Sequence, residues 1–435
     1  MEAMNAVDVN PEMTMQVRCM SCGSAFSGTE PITMCPECGG LLDCVVPTAG
    51  ITRASLSRGA SRRLLQSGVW KYRALLPAIP DDAVVTRFEG NTPIYFDQRI
   101  ADYAGIASFG LKHEGQNPTA SFKDRGMTVG VSHAVSVGAK IVACASTGNT
   151  SASLASYAAA ANLAGLVLIP EGKISSGKLS QTIAHGARVV QIEGDFDRAL
   201  ALLRELTERY PVYLVNSVNP FRLEGQKTTI VEALEQLDWR MPDLIALPGG
   251  NLGNTSAFGK ALIELTEAQL IDRTPQMVTV QAAGAAPFSA YWESGWEDYA
   301  SVQAETIATA IKIGNPASVA RAKRAIDFTR GFVPSVTDDE IMDAKAVIDR
   351  VGIGCEPASA ATVAGVRKLR QQGMLSADAT AIGILTGHVL KDGDATVKYH
   401  FEDVEPNARP LANRPVSIPA TMDDLERVLD DALHG

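Results

Sequence analysis

From about residue 107 onward, short apolar runs alternate with segments whose apolar residues recur at helical spacing. Residues 141–145, 166–169, 189–192, 212–215, 243–247 and 277–281 read as buried strands. Between them, 150–162, 176–185, 197–210 and 254–268 read as helices, the first of them rich in alanine. Strands alternating with helices of this length specify βαβ units and a mostly parallel sheet, so the expected fold class is α/β. Ahead of this series, the segment around Trp70, Tyr72 and Arg73 reads as a helix-rich connector. Behind it, 407–419 contains prolines and reads as extended, and 422–433 as a short acidic amphipathic helix. No period of 20–50 residues repeats and no low-complexity linker interrupts the chain, so the domains are expected to pack closely, with the chain crossing between them.

Composition narrows the classes of function. The chain has 435 residues, 46% apolar and 20% charged, enough for two or three domains with a large core. A formal net charge of −10 argues against nucleic acid or an anionic membrane surface as the main partner. Residues 1–16 lack a basic region and an apolar core, so they do not read as a signal peptide. No apolar run reaches the length of about 18 residues that spans a membrane. A cytoplasmic location is expected. Of seven cysteines, five fall between Cys19 and Cys44. Cys19-x-x-Cys22, twelve residues, then Cys35-x-x-Cys38 is the spacing of two facing zinc knuckles, each followed by a glycine, Gly23 and Gly39. The segment is either a structural zinc ribbon or a degenerate, metal-free one. Four thiolates would leave no open position for catalysis.

Candidate chemistry starts at residues 117–126, Asn-Pro-Thr-Ala-Ser-Phe-Lys-Asp-Arg-Gly. Asn-Pro marks a turn, and Thr119 or Ser121 is a candidate cap for a following helix. Lys123 then falls in the first helical turn, where a cation is disfavoured and a neutral amine, the form that Schiff-base chemistry needs, is favoured. Ser146-Thr147-Gly148-Asn149-Thr150-Ser151 lies between a strand and a helix, where hydroxyls and free N–H groups suit a carboxylate or phosphate; it also fits a plain cluster of capping residues. Pro248-Gly249-Gly250-Asn251-Leu252-Gly253-Asn254 lets backbone amides curl around a phosphate. It matches neither a Walker loop nor G-x-G-x-x-G, so a phosphate without a nucleotide fits better. Thr386 ends an apolar strand before Gly387, where its hydroxyl either faces the same crevice or serves only as a turn residue. G-x-S-x-G is absent, and serine-hydrolase chemistry is not supported.

In this order, the motifs NPTASFKDRGM, ASTGNTSAS, LVNSVNPFRLEGQKT, GGNLGN and TIATAIKIGNPAS resemble those of fold-type II pyridoxal-phosphate enzymes over roughly residues 85 to 395, and most of all the threonine synthase family. The resemblance implies two parallel-sheet three-layer domains behind a zinc-ribbon-like segment. The ribbon would occupy 1–50, an N-terminal α/β region with the lysine and the smaller mobile domain 51–225, the larger domain with the phosphate cup 226–405, and a C-terminal extension 406–435. It implies that Lys123 holds pyridoxal 5'-phosphate covalently and also serves as the catalytic acid/base. Asn149 would meet the ring hydroxyl, Gly250, Asn251, Leu252, Gly253 and Asn254 the cofactor phosphate, and Thr386 the ring nitrogen. Ser146, Thr147, Thr150, Asn216, Ser217 and Arg222 would meet an amino-acid phosphate, with Arg222 as the fixed positive charge; a surface salt bridge is the other reading of Arg222. Cys19, Cys22, Cys35 and Cys38 would hold a structural zinc ion. The implied reaction converts O-phospho-L-homoserine and water to L-threonine and phosphate. Members with ribbons that act on phosphoserine leave a shorter substrate open, as do the related dehydratases. A homodimer is expected by resemblance. A non-catalytic binding protein using the ribbon is the rival from another class, and the ribbon's acidic face, with Glu30, Glu37 and Asp43 and no Lys or Arg, speaks against it.

Overall fold

A computed structural model describes residues 15–171, 176–194, 196–401 and 409–434. Residues 1–14 of the acidic leader, and positions 407 and 408 of the extended stretch, lie outside the described residues.

Three antiparallel strands open the chain: β1 (Gln16–Cys19), β2 (Ala25–Ser27) and β3 (Leu42–Val45), in the order β2-β1-β3. The connector that follows was expected to be helix-rich. Its observed elements are short 3-10 turns, Arg53–Ser55, Leu64–Gln66, Trp70–Leu75 (kinked at Tyr72) and Asp81–Ala83. Gly59, Gly68, Pro77 and Pro80 interrupt the stretch before longer helices can propagate. Its aromatic residues instead anchor it: Trp70 and Tyr72 are buried, and Trp70 donates to Thr128 Oγ1 at 2.8 Å.

The rest of the chain builds two sheets. β4 (Ile94–Phe96) and β5 (Ser108–His113) join β10 (Leu244–Pro248), β11 (Gln276–Ala282), β12 (Ser335–Val336) and β13 (Thr380–Leu385) in the order β12-β11-β10-β13-β5-β4. All pairings in this sheet are parallel except β4–β5. β6 (Ile141–Ala145), β7 (Ala164–Pro170), β8 (Arg188–Ile192) and β9 (Val212–Leu214) form an all-parallel sheet in the order β8-β7-β6-β9. The larger sheet therefore takes strands from both sides of the smaller one in sequence, and the chain crosses between them.

Helices α1 (Gln98–Ala104), α2 (Lys123–Ser136), α3 (Asn149–Ala160), α4 (Ser176–Ala184), α5 (Phe196–Arg209), α6 (Pro220–Gln236) and α7 (Gly253–Glu267) alternate with the strands. They are followed by α8 (Pro287–Glu293), α9 (Val319–Thr329), α10 (Asp338–Arg350), α11 (Pro357–Gln371), α12 (Gly393–Phe401) and α13 (Met422–His434). Strand interiors such as Leu244–Pro248 are buried throughout, as expected where helices cover both faces of a parallel sheet.

Two helices set the site. α2 and α6 pack at very short range because small residues face each other: a Cβ on Gly225 would lie 1.8 Å from the Arg125 carbonyl oxygen, and one on Gly126 2.9 Å from that of Arg222. Beneath this contact, Arg125 bridges Glu114 (2.6 Å) and Glu232 (2.7 Å), and Lys112 joins Glu232 at 2.5 Å, all with fully buried side chains. Burial alone would raise the Glu232 carboxyl, but Arg125 and Lys112 outweigh it and hold it down at about 2. This cluster ties β5, α2 and α6 into one block.

Candidate active site and metal centre

The loops that follow β5, β10 and β13, which are neighbours in the larger sheet, meet the loop that follows β6 in the smaller one. Ligands in open α/β sheets bind at such carboxyl ends. Lys123 is the first residue of α2, half-buried, with Nζ 4.3 Å from the centre of the Phe122 ring. Burial, and after it the Arg222 guanidinium, push its amine down to about 7. A large share of the amine is then neutral and nucleophilic near neutral pH.

Neither Thr119 nor Ser121 caps α2, contrary to expectation. Phe122 holds the N-cap position with helical backbone and no side-chain cap. Thr119 is engaged elsewhere, because its N–H and its hydroxyl both donate to the Asp124 carboxylate at 2.6 Å. Ser121 pairs with Gly387 in an isolated antiparallel bridge, and the Phe122 N–H donates to the Thr386 carbonyl at 2.9 Å. The lysine loop is thereby strapped to the end of β13, which brings Thr386 beside it. Thr386 is buried, with Oγ1 3.0 Å from both Ser359 Oγ and Glu356 Oε1.

Asn149 is the first residue of α3, and its Nδ2 donates to Glu356 Oε2 at 3.0 Å. Ser146, Thr147 and Thr150 flank it, half-buried, with Ser146 Oγ accepting from the Gly148 N–H at 3.2 Å. Asn216 uses its side-chain amide on the end of β6: Oδ1 accepts from the Ala145 N–H and Nδ2 donates to the Ala145 carbonyl, each at 3.1 Å. It extends the β9–β6 pairing as a clamp, with half-buried Ser217 next to it. Arg222, in the first turn of α6, is no surface salt bridge. It is fully buried, Nη1 donates to the Val215 carbonyl at 2.8 Å, and Nε and Nη2 have no partner. Two unpaired guanidinium donors in a buried position cost several kcal/mol, on the order of 1–3 each, unless an anion meets them.

The glycine turn after β10 places Leu252 at the N-cap of α7 in the left-handed region (φ 63°). The first N–H groups of a helix have no partner within it, so those at Gly253 and Asn254 are free to meet an anion in the turn with Gly250 and Asn251. A Cβ on Gly250 would lie 3.1 Å from the Ala310 carbonyl oxygen, so the turn lies tight against that segment. Asn251 Oδ1 accepts from the Ala317 N–H at 3.2 Å, and buried Asn254 Oδ1 has no partner. A neutralised lysine, an amide-lined glycine turn and orphaned polar atoms together fit pyridoxal 5'-phosphate.

In the ribbon, the sulfur atoms of Cys19, Cys22, Cys35 and Cys38 lie within 4.8 Å of one another, with closest approaches of 3.5–3.6 Å. Zinc–sulfur bonds of about 2.3 Å in a tetrahedron put sulfurs roughly 3.8 Å apart, so the set fits. Gly23 (φ 79°) and Gly39 (φ 70°) take left-handed conformations and close matching turns onto the Cys19 and Cys35 carbonyls. Cys44 is buried outside this group, with its thiol pushed up by burial. The ribbon is docked on α2, the helix that begins with Lys123, and on α9. His133 of α2 lies 2.6 Å from both the Gly28 carbonyl oxygen and the Tyr213 hydroxyl. Since a carbonyl only accepts, Nε2 carries the hydrogen and Nδ1 accepts from Tyr213. Asp43 pairs with Arg321 (3.1 Å) and Arg324 (2.7 Å) of α9.

Sequence reasoning missed Glu356 and the cap of α6. Asn219 accepts from the Phe221 and Arg222 N–H groups and donates to the Leu214 carbonyl, which orients Arg222. Asn before Pro at a helix start was the available signal.

A family model described as "Pyridoxal-phosphate dependent enzyme" matches residues 85–387. Threonine synthase of Methanocaldococcus jannaschii is 41% identical over 419 residues, 96% of this chain and 100% of that one. Threonine synthase of Methanosarcina acetivorans is 45% identical over 383 residues, 88% of this chain and 93% of that one. The chain belongs to the pyridoxal-phosphate-dependent enzymes, in their threonine synthase family. Among solved structures, threonine synthase from Escherichia coli superposes with a TM-score of 0.69 at 17% identity, over 96% of this chain and 100% of that one. Threonine deaminase isoform 2 from Solanum lycopersicum superposes at 0.60 with 21% identity, over 76% of this chain and 91% of that one. These two likenesses concern the fold.

Proposed function

We propose that this chain is a threonine synthase, converting O-phospho-L-homoserine and water to L-threonine and phosphate with pyridoxal 5'-phosphate. The observation that carries the reading is Arg222, buried with two unpartnered donors and electrostatically coupled to Lys123. A phosphate on the substrate would satisfy both donors in the planar, two-pronged geometry that guanidinium favours.

Lys123 would hold the cofactor, with Asn149, Thr386 and the turn from Gly250 to Asn254 positioning it. When bound, the cofactor supplies an electrophilic carbon and an electron-accepting ring that acidifies the protons at Cα and Cβ of an amino acid. The Lys123 amine would take the Cα proton of the substrate and serve as acid and base in the steps after it. Arg222 holds the substrate phosphate as its bond to Cγ breaks, with Ser217 beside it and Asn216 fixing the edge of β6. Ser146, Thr147 and Thr150 supply hydroxyl and helix-end donors for the substrate carboxylate. A hydroxyl at Thr386 cannot strongly stabilise a ring cation, which suits elimination and replacement better than transamination.

The four thiolates are proposed to hold zinc as a scaffold with no open position. A homodimer and a cytoplasmic location, where thiols stay reduced, complete the reading. Among the described residues no helix is long and apolar enough to cross a membrane.

Kinetics of the loaded protein on O-phospho-L-homoserine and O-phospho-L-serine test the assignment. The longer substrate is expected to release phosphate and threonine in equal amounts, with Lys123→Ala inactive. Turnover of phosphoserine alone would move the chain to a related lyase with a shorter substrate.

A further inference from the structure

Glu356 stands at the N-cap of α11, yet its carboxylate does not cap that helix. It turns into the site instead, 4% exposed, and meets Asn149 Nδ2 and Thr386 Oγ1 at 3.0 Å each. The placement is built. The Glu356 N–H donates to the Gly387 carbonyl at 3.1 Å, and the carboxylate lies so close to Gly387 that a Cβ there would approach it to 2.4 Å. Ser359 Oγ accepts from the Gly387 N–H at 3.1 Å, so its own hydrogen is available to Thr386 Oγ1. A threonine hydroxyl has one hydrogen and two lone pairs. With Ser359 filling one lone pair, the state of Glu356 decides what Thr386 has left to offer.

We propose that Glu356 is a positioning residue that sets, through Thr386, whether this hydroxyl presents its hydrogen or a lone pair to the ring nitrogen of the cofactor. The inference rests on the cofactor reading above. As a carboxylic acid, Glu356 donates to Thr386 Oγ1, and the threonine hydrogen turns to the site, where it favours an unprotonated nitrogen. As a carboxylate, Glu356 accepts the threonine hydrogen, and the remaining lone pair favours a protonated nitrogen. Glu356 Oε1 and the nitrogen thus hold one proton between them, passed by the Thr386 hydroxyl, and that proton leaves to solvent as pH rises through the midpoint, with no co-reactant required.

The charged and titratable groups around Glu356 leave its carboxyl raised above the ordinary carboxylate range. Burial raises it, with Asn149, Thr386 and Lys391 opposing and Asp392 adding to the rise. Lys123 of α2 and the neighbouring Cys355 thiol also couple to it.

The test is the absorption of the pyridoxal-phosphate-loaded full chain as a function of pH, in wild type, Glu356→Gln, Thr386→Val and the double variant. Wild type is expected to show a transition with a midpoint above the ordinary carboxylate range. Glu356→Gln should keep the cofactor band and lose the transition, and should change nothing further in the Thr386→Val background. A wild-type band without a transition, one that survives Glu356→Gln at the same midpoint, or an equal effect of Glu356→Gln with Val at 386 would overturn the inference alone. A wild-type chain with no cofactor band would overturn the cofactor reading and the inference with it. If Glu356→Gln does not retain cofactor, Glu356→Asp decides, because it keeps the acid at a shorter reach. A moved midpoint supports the relay, and an unmoved one overturns it.

Discussion

Lys123 and Arg222 work against each other, and that opposition is useful. The guanidinium lowers the affinity of the neighbouring amine for its proton, and a bound phosphate would neutralise the guanidinium in turn. The lysine amine, pushed down to about 7, is mostly neutral above that pH and mostly protonated below it. Capture of pyridoxal phosphate by the cofactor-free chain should therefore slow as pH falls through about 7. Arg222→Ala removes one cause of the depression, so the acid limb of that profile should move to higher pH. Stopped-flow absorbance against pH checks it, and an unmoved limb would break the proposed coupling. The same substitution should raise KM for O-phospho-L-homoserine by roughly tenfold or more, the scale of one lost charge-assisted contact. The place of Lys123 at the head of a helix was legible in the sequence, because Asn-Pro marks the turn before it. Glu356 was not legible, because a glutamate before proline at a helix start looks like ordinary punctuation until its carboxylate is seen facing Thr386.

At the scale of elements, the ribbon is joined to the catalytic body at defined points. Its Gly28 carbonyl receives His133 of α2, the helix that begins with Lys123. Its Asp43 receives two arginines from α9, one of them fully buried, and breaking such a pair costs about 3–5 kcal/mol. Metal removal by a chelator should therefore lower the stability of the whole chain, with a drop in Tm of roughly 5 °C or more for a few kcal/mol in a protein of this size. Differential scanning calorimetry before and after chelation, with zinc restored as control, reads this directly. An unchanged Tm would mean the knuckles hold their shape without metal. Most strands and helices from residue 141 to 281 were legible because their periodicities differ plainly, and the observed β6, α5 and α7 start within a residue of the expected positions; α6 was missed, because it is buried from Pro220 to Leu234 and shows no polar face. The connector was not. It was expected to be helix-rich, but Trp70 and Tyr72 serve burial and hydrogen bonding against α2 and α6 rather than a helical face.

At the scale of the molecule, the site exists only where the two sheets and the lysine loop meet. Asn149 reaches Glu356 from the smaller sheet's side, and Gln181 of α4 is hydrogen-bonded by Lys391 from the larger. Movement of the smaller sheet relative to the larger would change both contacts. The order of motifs along the chain conveyed the parts of this site. It did not convey their assembly, because β5, β10 and β13 become neighbours only through pairings far apart in sequence. Nor could it reveal that Asn216 spends its amide on Ala145 while Arg222 keeps two donors free. The central claim is that the bond between Cγ and oxygen breaks and that water then adds at Cβ. Turnover of O-phospho-L-homoserine in water enriched in heavy oxygen tests it most directly. The account predicts one solvent oxygen in the hydroxyl of threonine and none in the released phosphate. Solvent oxygen in the phosphate, with homoserine as the other product, would contradict it.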